Sequence, residues 1–427
     1  MFFGAATLLL TAGIAFVTWL LRRAAVPIAA SDLTLMRLGF QNVTRRMGRS
    51  RAIIILLASG SFLIASIGIF RLDATTGQHL RASGTGGFAF VGESALPVIQ
   101  DLNTSAGRDF YNLDAKLLTN VTFLPLRLRE GDDASCLNLN RAQKPRLLGV
   151  NPDGLAQRKA FTFAGVETQS AQQPWLLLNQ KLANDEIPAI ADANSIQWAL
   201  GKKLGDTLPY TDEQGRVRRI RLVGAVANSI LQGSLIISEE NFVSLFPSES
   251  GYRFFLVDAS PAIESTSLSD LSKHLTRSLQ DHGLELTPGV NRLNALNAVQ
   301  NTYLNTFQIL GGLGLLLGSL GLGLVVLRNV LERRTELGLL QALGVNRKRV
   351  LALVLGEHGL LLVIGLVLGI LAACVAVLPA ALTPGAPLPL GSLVLTLIGV
   401  GLFGGLATYT AALYALRGRL IDALRGE

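Results

Sequence analysis

Four histidines, two cysteines and one carboxylate set in an apolar stretch are the residues of this 427-residue chain whose types suit chemistry. His79, His274, His282 and His358 fall at no spacing that places two imidazoles on one helix face, and neither H-E-x-x-H nor C-x-x-C occurs, so no metal centre is expected. Cys136 lies in a polar region and Cys374 in an apolar one, so they do not pair within one chain, and each reads as a small buried hydrophobe. Phosphate binding by a Walker loop is excluded, because Gly201-Lys202-Lys203 lacks both the upstream Gly and the Ser/Thr. A G-x-S-x-G nucleophile elbow is also absent. Glu357, next to His358, is costly inside an apolar segment and has two readings, a proton relay or a carboxylate bonded to a neighbouring helix or a basic residue. No second acid in an apolar segment is available to pass a proton onward, which favours the structural reading.

The densest pattern of alternating charge and leucine is RNVLERRTELGLLQALGVNRKRV, residues 328–350. It predicts a compact amphipathic helix over 331–344. Thr335 caps its start, Glu336 complements the positive end of the helix dipole, and Gly344 stops it in the left-handed conformation. Leu337, Leu340 and Leu343 share one side, as expected of a docking face. Long apolar stretches flank this segment.

Those stretches define the elements that must hold it. Hydrophobic residues make up 49% of the chain and charged residues only 16%, below the roughly 25% charged of soluble domains. Residues 2–21, 52–70, 306–327, 350–378 and 392–416 are each long enough, at about 1.5 Å per residue, to cross a hydrocarbon core of about 30 Å. The expected fold is therefore a membrane protein, an α-helical bundle of about five spans with a large extracytoplasmic α+β domain. The first stretch is read as a retained span, because Arg22 and Arg23 follow it and no basic residue precedes it. Gly314/Gly318, Gly365/Gly369 and Gly401/Gly405 are G-x-x-x-G pairs that let helices approach closely.

The distribution of Lys and Arg predicts orientation. Segment 22–51 carries seven Arg against Asp32 alone, segment 328–349 six basic residues against Glu332 and Glu336, and segment 417–427 three against Asp422 and Glu427. Residues 71–304 hold 22 basic and 24 acidic residues. The net charge of +8 thus comes from membrane-proximal segments and marks topology, with no nucleic-acid partner implied. An external N-terminus and a cytoplasmic C-terminus in the cell membrane satisfy this pattern. The layout is an extra helix over 1–21, a basic linker over 22–51, a span over 52–70, the external domain over 71–304 and a three-helix domain over 305–427.

Within 71–304 the pattern is mixed. A strand over 87–94 is followed by a helix capped at Ser94, and 174–186 reads as a buried strand running into a helix. Residues 201–227 form a hairpin turned by Asp212–Gly215, and Ser238 caps a helix after the strand 234–237. A further strand covers 252–259, and a helix within 268–286 ends at Gly283. Residues 120–175 mix short β-like runs with turns and are read as a separate lobe. No cluster of polar residues suggests a catalytic centre.

Taken together, the order span, external domain, three spans, with Glu332-Arg333-x-x-Glu336-Leu337-Gly338-Leu339-Leu340-Gln341-Ala342-Leu343-Gly344 between the first two of the three, resembles the FtsX/MacB-type permeases of ABC transporters. Gln341 stands in a slot that is usually basic. Glu357 matches an acid early in the family's next span, and Ala423-Leu424-Arg425-Gly426-Glu427 matches its usual ending. The resemblance covers about residues 35–427. The additional span at 2–21 is similar to the C-terminal half of long, two-unit permeases. The resemblance implies a permease subunit with no enzyme activity or cofactor of its own. A cytoplasmic ABC ATPase dimer would bind ATP and magnesium, and its surface cleft would take the helix 331–344. The leucines would fill the cleft, with Glu332, Arg333, Arg334 and Glu336 setting register at its rim. The other implied partners are a second permease unit, the lipid bilayer and an extracytoplasmic adaptor or substrate. A non-transporting regulator of an extracytoplasmic enzyme, such as a cell-wall hydrolase, shares every one of these features. A membrane-anchored enzyme or adhesion protein would leave the charged helix unexplained.

Overall fold

The computed structural model describes residues 2–23, 43–44, 47–69, 77, 79–118, 120–135, 137–138, 141–167, 172–259, 265–382 and 390–415. The chain divides into two compact units, one of Met1–Arg71, Thr302–Leu382 and Leu388–Glu427, the other of Leu72–Asn301 with Thr383–Pro387. Cys136 and the ending at 423–427 lie outside the described residues.

The first unit is helical. Its elements are α1 (Phe2–Arg23), α2 (Met47–Ile69), α3 (Gly289–Glu332, which begins in the other unit), the short α4 (Arg334–Ala342), α5 (Arg347–Leu382) and α6 (Leu390–Ala415). Among the described residues α1, α2, α3 and α5 are long and apolar enough to cross a membrane. The fifth apolar stretch of the sequence is also one helix, α6, with no charged residue in its 26. The outer faces stay apolar. Val363, Val367, Leu371 and Leu378 lie on one side of α5 and are all at least 47% exposed, and Leu313, Leu317, Leu320 and Leu324 are exposed along α3. Cys374 is on the exposed side of α5 as well, not buried as its apolar surroundings in sequence suggest. Lipid, not water, is the solvent that such a surface suits.

Of the three glycine pairs, Gly365/Gly369 brings helices into backbone contact. A Cβ at Gly365 would lie 2.7 Å from Leu57 Cβ, and one at Gly369 would lie 2.5 Å from the Ala58 carbonyl oxygen and 2.9 Å from the Phe62 nitrogen. α5 therefore presses directly on α2. Gly314 and Gly405 have nothing within 4 Å of such a Cβ, and Gly401 only Leu366 at 3.9 Å. At those three positions the packing role expected from the motif is not used among the described residues. Gly318, the other half of the Gly314 pair, falls within α3, but its surroundings lie outside the described residues. Spacing gives a small stripe but not the neighbour that fills it.

The second unit is built on a ten-stranded mixed sheet. Its strands are β1 (Phe90–Val98), β2 (Val121–Arg129), β3 (Arg146–Val150), β4 (Phe163–Val166), β5 (Ile187–Asp192), β6 (Thr207–Thr211), β7 (Val217–Val226), β8 (Ser234–Ser238), β9 (Tyr252–Ala259) and β10 (Glu285–Pro288). The order is β10-β1-β9-β2-β3-β8-β5-β7-β4, with β6 on β7. The β3/β8 and β5/β7 pairs are parallel. Both faces of the middle strands are buried. Leu148, Ile190, Val223 and Ile236 enter one core, with Trp175 and Leu178, while Leu147, Ala189, Ala191, Leu222, Leu235 and Ile237 enter the other, with Phe242. That is why these strands read as unbroken apolar runs.

Three local readings of the sequence are corrected. The described part of 120–175 is not a separate lobe, since β2 pairs with both β9 and β3 and so sits inside the one sheet. Ser94 caps no helix. β1 continues to Val98 along β9, and the following helix, Ser105–Phe110, is capped by Thr104. Pro97, which donates no hydrogen bond, falls where the β1/β9 register shifts. Residues 174–179 are a 3₁₀ turn opened by Pro174, not a strand, and a second short 3₁₀ turn, Ala183–Asp185, replaces the helix expected after it. The Trp175 indole N–H donates to the Ala160 carbonyl at 2.8 Å and turns the apolar run inward. The hairpin, the Ser238 cap and the left-handed stop at Gly283 are as the sequence predicts.

Candidate functional site

α4 lies at the end of the helical unit where α3 stops and α5 begins. Its start differs from the predicted one. The helix breaks at Arg333, whose φ of −106° and ψ of 16° are not helical, so Glu332 closes α3 and α4 runs Arg334–Ala342. Arg333 is the N-cap residue and makes no side-chain cap bond, while Thr335 sits inside the helix. The stop is a Schellman motif. Gly344 N donates to Gln341 O at 3.0 Å and Val345 N to Leu340 O at 3.0 Å, with Gly344 at φ +93°. Leu340 and Val345 pack on the same apolar cluster, the contact that usually accompanies this motif.

The leucines do not form one outward face. Leu337 is 2% exposed and belongs to the core of the bundle, with Val330, Val350 and Val354, and Leu340 packs against the same cluster. Gly338 is buried as well. The side that faces away carries Leu339 and Leu343, 56% and 74% exposed, with Thr335, Glu336, Ala342 and Gly344. A period of 3.6 puts 337 and 340 on one side, and the bundle claims that side first because burying it needs no partner.

The charges divide in the same way. Arg49 of α2 grips Glu332 with both guanidinium nitrogens, Nη1 to Oε2 at 3.1 Å and Nη2 to Oε1 at 2.9 Å. Arg328 adds a bond to Glu332 Oε1 at 2.8 Å, and its own side chain is 71% exposed. Arg333 turns the other way, with Nη1 3.1 Å from Glu357 Oε2 on α5 and Nε 3.2 Å from Glu336 Oε2. Asn329 Nδ2 reaches Glu357 Oε1 at 3.4 Å, while its own side-chain oxygen, buried, has no partner among the described residues. His358 Nδ1 meets the Val354 carbonyl within its own helix at 3.0 Å. Glu332, still exposed, and Arg333, mostly buried, are thus both paired within the bundle, and Glu357, 4% exposed, is held by a cation and an amide. Arg334 is half-buried. A narrow crevice opens beside these groups, lined by Arg49, Ser50, Asn329, Glu357 and His358 together with apolar side chains.

Sequence reasoning missed Arg49 and Asn329. In sequence Arg49 reads only as one of the basic residues that set orientation, although it lies inside the first turn of a helix that is otherwise mostly apolar. Asn329 is the one amide in the final turn of α3, between Arg328 and Val330. No group of three or more His, Cys, Asp or Glu that would hold a metal ion occurs among the described residues.

Residues 309–420 match the FtsX-like permease C-terminal family. An uncharacterized ABC transporter permease from Methanocaldococcus jannaschii is 27% identical over 176 residues, which is 40% of this chain and 44% of that protein. The chain thus aligns with less than half the length of that relative. The periplasmic region of MacB from Actinobacillus actinomycetemcomitans aligns with 54% of this chain and 97% of its own, at 12% identity and a TM-score of 0.26. The chain is thus a multi-pass membrane protein with a large α+β unit, similar over residues 309–420 to the C-terminal domain of FtsX-like permeases.

Proposed function

We propose that this chain is the permease subunit of an ABC transporter and that α4 is the element through which a separate cytoplasmic ATPase drives it. The observation that carries the reading is the outward side of α4. Two leucines, Leu339 and Leu343, stand more than half exposed on a short helix with a defined stop, at the charged end of an apolar bundle. A surface of that kind suits a shallow apolar cleft, with Glu336 and Arg334 at the margin to fix register. On this reading the helix end faces the cytoplasm, the sheet domain faces outward, and ATP with magnesium belongs to the partner. A second permease unit, a copy of this chain or a different one, completes the assembly. Closure of the ATPase dimer displaces α4, and the bundle passes the displacement to the extracytoplasmic domain, which handles lipophilic or peptide cargo.

The test is copurification from detergent. Leu339→Asp and Leu343→Asp, singly and together, are expected to lower ATPase recovery by about tenfold, since each removes most of a buried leucine's 1.5–3 kcal/mol. Equal recovery of the ATPase by the double variant and the unaltered chain would rule out α4 as the docking element. Leu340→Asp is a poor probe, because Leu340 supports the bundle itself.

A further inference from the structure

Glu332 and Arg333 occupy the break between α3 and α4, and their side chains leave it in two directions. One goes to Arg49 on α2 and the other to Glu357 on α5. Those two helices are in backbone contact at Gly365 and Gly369. Both anchors therefore land on one closely packed helix pair. A single contact would leave the elbow free to pivot about it, whereas two contacts pointing in different directions remove the pivot.

We propose that Arg49 is a positioning residue for coupling: together with Glu357 it bolts the α3–α4 elbow to the α2–α5 pair, so that any displacement of α4 enters the bundle through that pair as one body. The inference rests on the docking role of α4 given above and goes beyond it by naming the helices that take the stroke. Energetics support a directional role over a stabilising one. The Arg49 and Glu332 side chains are 32% and 33% exposed, and an ion pair that open adds little to stability. Its geometry is nonetheless bidentate, both guanidinium nitrogens on both carboxylate oxygens, and that arrangement fixes orientation as well as distance.

The experiment uses the full chain in lipid nanodiscs with its copurified ATPase. The variants are Arg49→Gln, Arg49→Glu, and Arg49→Glu combined with Glu332→Arg. Arg328 is exposed enough to turn away from the reversed charge. Three quantities are read: ATPase bound per permease, kcat and KM for ATP, and the melting temperature of the chain. The expected result is unchanged ATPase binding and KM, with the permease-dependent change in kcat reduced about fivefold or more in both single variants. The charge-reversed pair recovers at least half of that loss. An unchanged kcat in Arg49→Glu overturns the proposal. So does a lowered kcat that the reversed pair fails to restore while melting at the same temperature as the unaltered chain. No ATPase on the unaltered chain overturns the docking role itself, and this inference with it.

Discussion

The two units each bury a carboxylate, and they do so by different means. Glu357 in the helical unit is 4% exposed and is held by the Arg333 guanidinium and the Asn329 amide. Asp192, at the end of β5 in the sheet domain, is fully buried, and among the described residues its neighbours are neutral donors, with no cation acting on it. Its four bonds come from neutral donors. Ser229 N and Oγ bind Oδ2 at 2.6 and 3.0 Å, and Asn194 N and Gln232 Nε2 bind Oδ1 at 2.9 and 3.4 Å. These donors pin the loop 228–232 to the sheet, helped by Ser195 Oγ, which accepts from Gly233 N at 3.0 Å. Neutral donors fix a loop that has one place to be. An ion pair between helices joins two elements that can also part, because each partner is solvated again when they separate. The difference separates a static latch from a joint.

The larger expected effects come from breaking the joint on one side only and from breaking the latch. Glu357→Ala strips the buried acceptor from Arg333 Nη1 and the Asn329 amide, leaving Arg333 only its Nε bond to Glu336, and costs about 1–3 kcal/mol, read as a fall in the denaturant midpoint of the helical unit. Replacing both partners, Glu357→Leu with Arg333→Met, returns most of that loss, because the cost is the buried donor left without its acceptor and not the missing pair. Full loss in the double variant would mean that shape, not charge, holds the elbow.

Breaking the latch comes next. Asp192→Ala strips the acceptor from four donors and costs at least about 2 kcal/mol, at roughly 1–3 for each donor left buried and unsatisfied. The same carboxyl gives the sheet domain a pH dependence of stated sign. Burial raises its titration point above the ordinary carboxylate range, and the bonds from Ser229, Asn194 and Gln232 only partly oppose this. The folded state then holds a proton that the unfolded state has released. This contribution favours folding below about pH 4 and is lost as pH rises through the raised value. Thermal melts of the full chain, followed by fluorescence of the buried Trp175, are expected to show this decline, and Asp192→Asn is expected to flatten it.

Smaller effects sharpen the contrast between packed and open glycines. Gly369→Leu drives a side chain into the Ala58 and Phe62 backbone and costs about 1–3 kcal/mol. At Gly405 an added Cβ has nothing within 4 Å, and Gly405→Ala leaves the melting temperature in place. At the bottom of the scale, Leu343→Asp changes stability by less than about 0.5 kcal/mol, since its side chain is already outside the bundle. A large destabilisation there would show that Leu343 packs inward after all.

Much of the candidate site was legible locally. The Gly344 stop, the Glu336 position and the apolar helices on either side follow from spacing and composition alone. So did the strand and cap at Ser238, where a serine acceptor meets the N–H of Asn241. Ser94 looked equally suited to a cap and failed, because pairing with β9 satisfied more of the backbone than a helix start would have. A single sequence cannot weigh a local bond against a ladder formed with a strand some 160 residues away.

What the sequence by itself determined is where the chain meets lipid, that its charge collects at the membrane-proximal segments, and that a short helix in a charged segment interrupts the apolar run. Those are properties of composition and period, set within a few turns of chain. Only the tertiary structure decided which of its leucines face outward and which charges are spoken for. Arg49 and Glu332 are 283 residues apart in sequence, and Arg333 meets Glu357 across a reversal of direction. Glu332 and Arg333 would look the same in sequence whether they faced a partner or their own bundle. Packing of α5 on α2 brings Arg49 and Glu357 within reach, and desolvated opposite charges bind the nearest counter-charge available.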